Sequence, residues 1–113
     1  MRVLEEDIEE RLGPDGNDLA RYKLLLGKGD GVKGVSFIIG NIAPGGGTAP
    51  HRHEHEEELY YVIEGSGLWR IGDEEFLGKP GAALYVPPNT EHSMVNNGDG
   101  KLKIVLLHSP ASL

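Results

Sequence analysis

The chain has 113 residues, of which 38% are hydrophobic and 26% charged, a size and composition that suit one soluble globular domain and exclude two separate cores. The formal net charge of −7 argues against nucleic-acid and anionic-membrane partners, and no apolar run is long enough to cross a bilayer. The absence of cysteine excludes disulfides, thiolate metal sites and a cysteine nucleophile. No export signal is recognisable in the acidic N-terminal segment, so the cytoplasm is the expected location.

The first 19 residues form an acidic segment that ends in a cluster of turn formers, Gly13-Pro14-Asp15-Gly16-Asn17-Asp18. We expect residues 1–19 to be a solvated, partly mobile arm. A short helical turn near Glu5 and Glu6 is the alternative.

Short apolar runs separated by turn signals follow this arm through residues 20–113, which we interpret as one domain. The runs are Tyr22 to Leu26, Val35 to Ile42, Leu59 to Ile63, Gly67 to Ile71, Ala82 to Val86 and Leu102 to Leu107. The 17 glycines and 7 prolines supply many turns between short strands. We therefore predict an all-β fold, a small antiparallel β-barrel or jelly roll.

Three histidines and one glutamate fall into a pattern typical of metal ligands, namely His51, His53, Glu58 and His92. On a strand, His51 and His53 would emerge from one face, while Glu58 would open the next strand and His92 would start another. Divalent transition metals accept imidazole and carboxylate ligands readily. The sequence therefore predicts one divalent metal ion, with Fe, Mn or Ni favoured and Zn or Cu as alternatives.

Two further residues are predicted to line a substrate pocket beside these ligands. Tyr60 shares a strand face with Glu58, and Met94 follows His92 by two residues. Core packing is the alternative for both side chains.

The two remaining histidines are expected outside the site. His55 lies in an acidic turn and is expected to be exposed, although His53 and His55 form a second potential ligand pair. That pair is discounted, because it lacks a matching acid and the spacing from the ligands to Gly65. His108, next to Ser109 near the end of the chain, is expected at the surface or at an interface.

Two stretches of the chain resemble the signature motifs of the cupin superfamily. The first is Gly45-x5-His51-x-His53-x4-Glu58-x6-Gly65, and the second is Gly81-x5-Pro87-x-Asn89-x2-His92-x3-Asn96. Asn89 stands where the family usually has glycine, and asparagine tolerates a left-handed backbone best after glycine. The chain thus resembles a small single-domain cupin of the cupin-2 type. The resemblance implies a single cupin β-barrel over residues 20–113, with His51, His53, Glu58 and His92 around one metal ion.

The resemblance also implies several functions. We favour an enzyme that acts on a small anionic or oxygen-rich molecule, because a divalent ion with one carboxylate ligand keeps a positive charge. Glu58 would be its catalytic proton acceptor, and dioxygenase-like chemistry is favoured over decarboxylase-like or isomerase-like chemistry. The alternatives are a module that binds a small acid or sugar without turnover, and a structural metal site.

The exposed strand edges of such a small domain predict self-association, because edges are usually paired or covered. Residues 1–26 could add a strand to a neighbouring subunit, and cupins commonly dimerise in this manner. We therefore predict a homodimer in which the arm is exchanged between subunits.

Overall fold

The computed structural model describes residues 1–113, and its ten strands confirm the all-β prediction. The strands are β1 (Arg11–Leu12), β2 (Ala20–Leu26), β3 (Ser36–Ile42), β4 (Gly47–His51), β5 (Glu57–Glu64), β6 (Gly67–Ile71), β7 (Glu74–Gly78), β8 (Ala83–Val86), β9 (His92–Val95) and β10 (Leu102–Ser109). Short 3₁₀ turns at Glu5–Asp7 and Lys28–Asp30 are the helical elements. Neither turn has the length or apolar character that a membrane-spanning helix needs.

The strands form two antiparallel sheets whose inner faces share one core. Six strands make the first sheet in the order β1-β2-β3-β10-β5-β8, and four make the second in the order β4-β9-β6-β7. Trp69 of the smaller sheet is fully buried, and its ring centroid lies 5.6 Å from that of Tyr60 in the larger sheet. The sheets do not close into one continuous barrel, so the fold is the jelly-roll form of the prediction.

Burial follows the alternation of side chains along each strand. On β10, Leu102, Ile104 and Leu106 are buried, whereas the residues between them are half-buried. The same alternation on β5 buries Glu58 and Tyr60 on the inward face. The register of these two strands therefore decides which side chains reach the interior beside the predicted metal ligands.

Each of the six predicted apolar runs contributes a strand, but three details differ from the sequence analysis. No apolar run indicates β1 or β7, and four of the five residues of β7 are exposed. The placement of both histidines on one strand is wrong, because β4 ends at His51 and His53 lies in the segment that follows. The chain turns between the sheets there, so the strand pairing cannot continue.

The N-terminal arm lies along the six-stranded sheet. Lys23 Nζ donates a hydrogen bond to the backbone oxygen of Glu5 at 2.9 Å, and Lys103 Nζ lies 2.9 Å from the Glu5 carboxylate. Strand β1 pairs with β2 of the same chain. Exchange of the arm with a neighbouring subunit stays a prediction.

Candidate metal centre

The four predicted ligands meet where the ends of the two sheets come together. His51 ends β4 and lies directly opposite His92, the first residue of β9. Glu58 is the second residue of β5 in the other sheet, and His53 lies between β4 and β5. The ligand atoms of these four side chains all lie within 4.8 Å of one another. The chain therefore contains a three-histidine, one-glutamate cluster that could bind a metal ion.

Backbone carbonyls fix the orientation of two of the imidazole rings. His51 Nδ1 lies 2.7 Å from the carbonyl oxygen of Ala49, and His92 Nδ1 lies 2.9 Å from that of Thr90. A carbonyl oxygen can only accept, so we assign the hydrogen to Nδ1 in both rings. Each Nε2 then keeps its lone pair, which is the arrangement that metal-binding histidines usually have.

The distances between donor atoms suit a single ion. Glu58 Oε1 lies 3.1 Å from His53 Nε2, and Glu58 Oε2 lies 3.0 Å from His92 Nε2. Two ligand atoms that bind an ion at about 2.1 Å and at right angles are about 3.0 Å apart. His92 Nε2 is buried and makes no hydrogen bond of good geometry, even to this nearby oxygen. Its lone pair is therefore available to a metal, and the residues present fit the metal that the sequence predicts.

Glu58 supplies the negative charge of the cluster and is only 2% exposed. Burial alone would raise its pKa, but contacts with His108 and then His92 outweigh burial and hold the pKa of this carboxyl well below its usual range. Burial lowers the pKa of His53. Burial also acts to lower the pKa of His92, but the contact with Glu58 and the hydrogen bond to the Thr90 carbonyl together outweigh burial and raise this pKa. Glu58 is thus an anion at neutral pH, as metal binding requires.

The cluster opens onto a cavity of about 380 Å³, a volume that suits a small molecule. The polar part of the wall includes three of the predicted ligands, His51, His53 and Glu58. The apolar part includes Leu12, Pro14, Leu24, Ile38, Leu106 and Leu113. The arm closes one side of this cavity, where the Asp15 carboxylate accepts a hydrogen bond from the backbone N–H of Ala49 at 2.8 Å. The contribution of the arm is not apparent in the sequence, because it depends on this contact between distant segments.

The two predicted pocket residues occupy different places. Tyr60 lines the cavity, and its hydroxyl donates a hydrogen bond to Glu58 Oε2 at 2.8 Å. Met94 is buried in the hydrophobic core and does not line the cavity, which corresponds to the packing alternative. The His55 side chain is 88% exposed, as expected.

The expectation for His108 is wrong. This residue is 7% exposed, lines the cavity and places Nε2 at 2.8 Å from Glu58 Oε1. The alternation on β10 is the signal that could have found it, because position 108 has the same parity as the buried residues Leu102, Ile104 and Leu106.

Comparisons with known proteins agree with this architecture. The family model for the cupin domain matches residues 38–108. An uncharacterized protein of Methanocaldococcus jannaschii is 41% identical over 80 residues, which cover 69% of this chain and 64% of that protein. Auxin-binding protein 1 of Arabidopsis thaliana is 31% identical over 88 residues, which cover 70% of this chain and 44% of that protein. The chain thus spans less than two thirds of the length of either relative.

Among solved structures, the polyketide cyclase RemF from Streptomyces resistomycificus superposes with a TM-score of 0.85. The match covers 100% of this chain and 85% of the cyclase. The sequence identity is 22%, so the similarity is evidence for a shared fold alone.

Proposed function

This chain belongs to the cupin domain family, and we propose that it binds one divalent metal ion and uses it to hold and transform a small oxygen-bearing molecule. The supporting observation is the convergence of His51, His53, Glu58 and His92 within 4.8 Å, beside a cavity of about 380 Å³. Fe, Mn or Ni suits this ligand set, with Zn or Cu as alternatives. One carboxylate among four ligands leaves a divalent ion with a net positive charge, which favours a ligand with anionic oxygen.

The protein side chains have separable tasks in this proposal. When bound, the ion would polarise an oxygen of the ligand. Glu58 is the one side-chain carboxylate on the cavity wall and would hold the ion; its pKa, well below the usual range, argues against the predicted role as proton acceptor. The Tyr60 hydroxyl holds the second carboxylate oxygen and so limits rotation of that group. Arg11, the one arginine or lysine on the wall, adds positive charge that favours an anionic ligand.

The apolar part of the wall favours molecules with an apolar or aromatic body and one oxygen-bearing end. Leu24, Ile38 and Leu106 offer no hydrogen-bonding side chains. A sugar would have to bury several hydroxyl groups against these side chains, at a cost of about 1–3 kcal/mol for each unpaired group. A ligand with its oxygens directed towards His51 and Glu58 avoids that cost.

A non-catalytic binding module is the second candidate. The resemblance to a protein named for auxin binding supports it, whereas the structural similarity to a cyclase bears on the fold alone and favours neither candidate. Dioxygenase-like chemistry stays a prediction, since neither of these proteins is named as a dioxygenase. A purely structural metal has less support, because the cluster adjoins a cavity and the His53 side chain is 32% exposed.

The ligand class can be tested by calorimetric titration of protein loaded with Mn(II). Three probes separate the contribution of an anionic oxygen pair from that of an apolar ring. The compound 2-hydroxybenzoate has both, oxalate has the oxygen pair alone, and benzamide has the ring without an anionic oxygen. We expect 2-hydroxybenzoate to bind at least about tenfold more tightly than oxalate, since about 1.4 kcal/mol of apolar burial suffices for that ratio. Tighter binding of oxalate would contradict the apolar-body assignment. Failure to retain any metal, including Fe(II) under anaerobic conditions, would contradict the metal site itself.

The fate of a ligand separates the enzyme from the binding module. Wild-type protein and His92→Ala would be incubated with a small-molecule cell extract and followed by mass spectrometry. An enzyme consumes one compound and produces another only in the wild-type sample. A binding module releases its compound unchanged when the protein is denatured.

A further inference from the structure

We propose that His108 is a positioning residue that holds the Glu58 carboxylate in the orientation needed for metal binding. The inference rests on the proposed metal site and adds to it a histidine that is not one of the four ligands. Its basis is the strand register, because His108 on β10 lies directly opposite Glu58 on β5. Directly opposed residues on one sheet face are the cross-strand neighbours that interact most closely.

The contact between these two residues is the shortest that the carboxylate makes with a histidine. His108 Nε2 lies 2.8 Å from Glu58 Oε1, compared with 3.1 Å for His53 and 3.0 Å for His92. Both partners are buried, with His108 7% exposed and Glu58 2% exposed. A buried contact of this length between a carboxylate and a ring nitrogen restricts both side chains strongly.

The positions of the donor atoms place His108 outside the ligand set. The four ligands have donor atoms that all lie within 4.8 Å of one another, and His108 is not a member of that group. Its second ring nitrogen, Nδ1, is buried without a hydrogen-bond partner, so the contact with Glu58 is the polar interaction that offsets burial of the ring. Because a carboxylate only accepts, we assign the ring hydrogen to Nε2.

Two side chains outside the ligand set therefore hold the carboxylate, one at each oxygen. Tyr60 donates to Oε2 at 2.8 Å, and His108 contacts Oε1 at 2.8 Å. Rotation of the Glu58 carboxylate would break at least one of these contacts. The carboxylate is thus oriented before metal binding. This orientation increases metal affinity, because the side chain loses less conformational entropy when the metal binds.

The test compares His108→Gln with His108→Asn by chelator competition for Mn(II). A glutamine amide nitrogen reaches about as far as Nε2 of histidine, whereas that of asparagine reaches only about as far as Nδ1. We expect His108→Asn to weaken metal affinity about 10- to 100-fold, and His108→Gln to stay within about threefold of wild type. His55→Asn is the matched control for the loss of an imidazole, because His55 is exposed, and should leave affinity unchanged.

A second measurement separates positioning from a merely structural role. The electron paramagnetic resonance spectrum of bound Mn(II) should change in His108→Asn and match wild type in His108→Gln. Equal affinity and identical spectra for both variants would overturn the inference while leaving the proposed metal site intact. Absence of metal binding in wild-type protein would overturn both.

Discussion

Replacement of His92 by alanine should remove most of the stabilisation of this protein by metal. An unfolding entropy of about 2.1 cal/mol/K per residue gives about 0.24 kcal/mol/K for a chain of 113 residues. Metal at 100 times its Kd stabilises the native state by about 2.7 kcal/mol, so the Tm of wild-type protein should rise by about 11 °C. Removing a residue that hydrogen-bonds to a metal ligand weakens metal affinity by about 10- to 100-fold. Removing a metal ligand itself should therefore weaken metal affinity by at least about 100-fold. At the same metal concentration the stabilisation of His92→Ala is then about 0.4 kcal/mol, or less than about 2 °C.

The assay is a thermal melt with and without metal, read by circular dichroism. The quantity compared is the shift in Tm on metal addition, because His92 is buried and its loss also destabilises the metal-free protein. His55→Ala is the control, since its exposed imidazole belongs to neither the core nor the cluster. A shift in His92→Ala equal to that of wild type would refute the assignment of this residue as a ligand.

Three further results are expected. Ile104→Ala removes a fully buried side chain from β10 and should cost about 2–5 kcal/mol in urea denaturation, whereas a loss below about 1 kcal/mol would contradict the core assignment. Tyr60→Phe removes the hydroxyl that donates to Glu58 and should weaken Mn(II) affinity about tenfold in chelator competition, while an unchanged Kd would show that His108 holds the carboxylate alone. Sedimentation equilibrium at micromolar concentration should give twice the chain mass of 12.2 kDa, and a mass of one chain would refute the predicted homodimer.

The parts of this fold that could be predicted are those in which a local pattern dictates the backbone. Asn89 has a φ of 56°, the left-handed conformation expected where asparagine replaces glycine. Gly65 has a φ of 81°, and a Cβ atom there would meet the backbone oxygen of Lys101. Both positions lie in turns beside strands that carry metal ligands. The sequence pattern predicts these turns because few residue types other than glycine and asparagine tolerate a positive φ.

The parts that could not be predicted depend on contacts between distant segments. β7 has no apolar pattern because its side chains are exposed, and it exists through pairing with β6. His108 illustrates a different difficulty, because a histidine at the end of a strand can face solvent or the interior. Its inward position is stable because Glu58, distant in sequence, offers a carboxylate directly opposite. The alternation along β10 is compatible with an inward side chain at position 108. The partner of this side chain, Glu58, can be recognised only from the register of β10 against β5.

The division of the site between two parts of the chain explains why a family match does not identify the ligand. Residues 38–108 contain all four proposed metal ligands, whereas Leu12, Pro14 and Leu24 line the cavity from outside that range. The matched segment thus supplies the metal chemistry, and the arm with β2 supplies part of the surface that selects the ligand. We therefore expect Leu24→Gln to weaken binding of 2-hydroxybenzoate while Mn(II) affinity stays within about twofold of wild type, because the substitution changes the wall and none of the ligands. Loss of Mn(II) binding in that variant would contradict this division, because a change in the cavity wall would then have disrupted the metal centre. Retention of both affinities would show that the ligand does not reach β2.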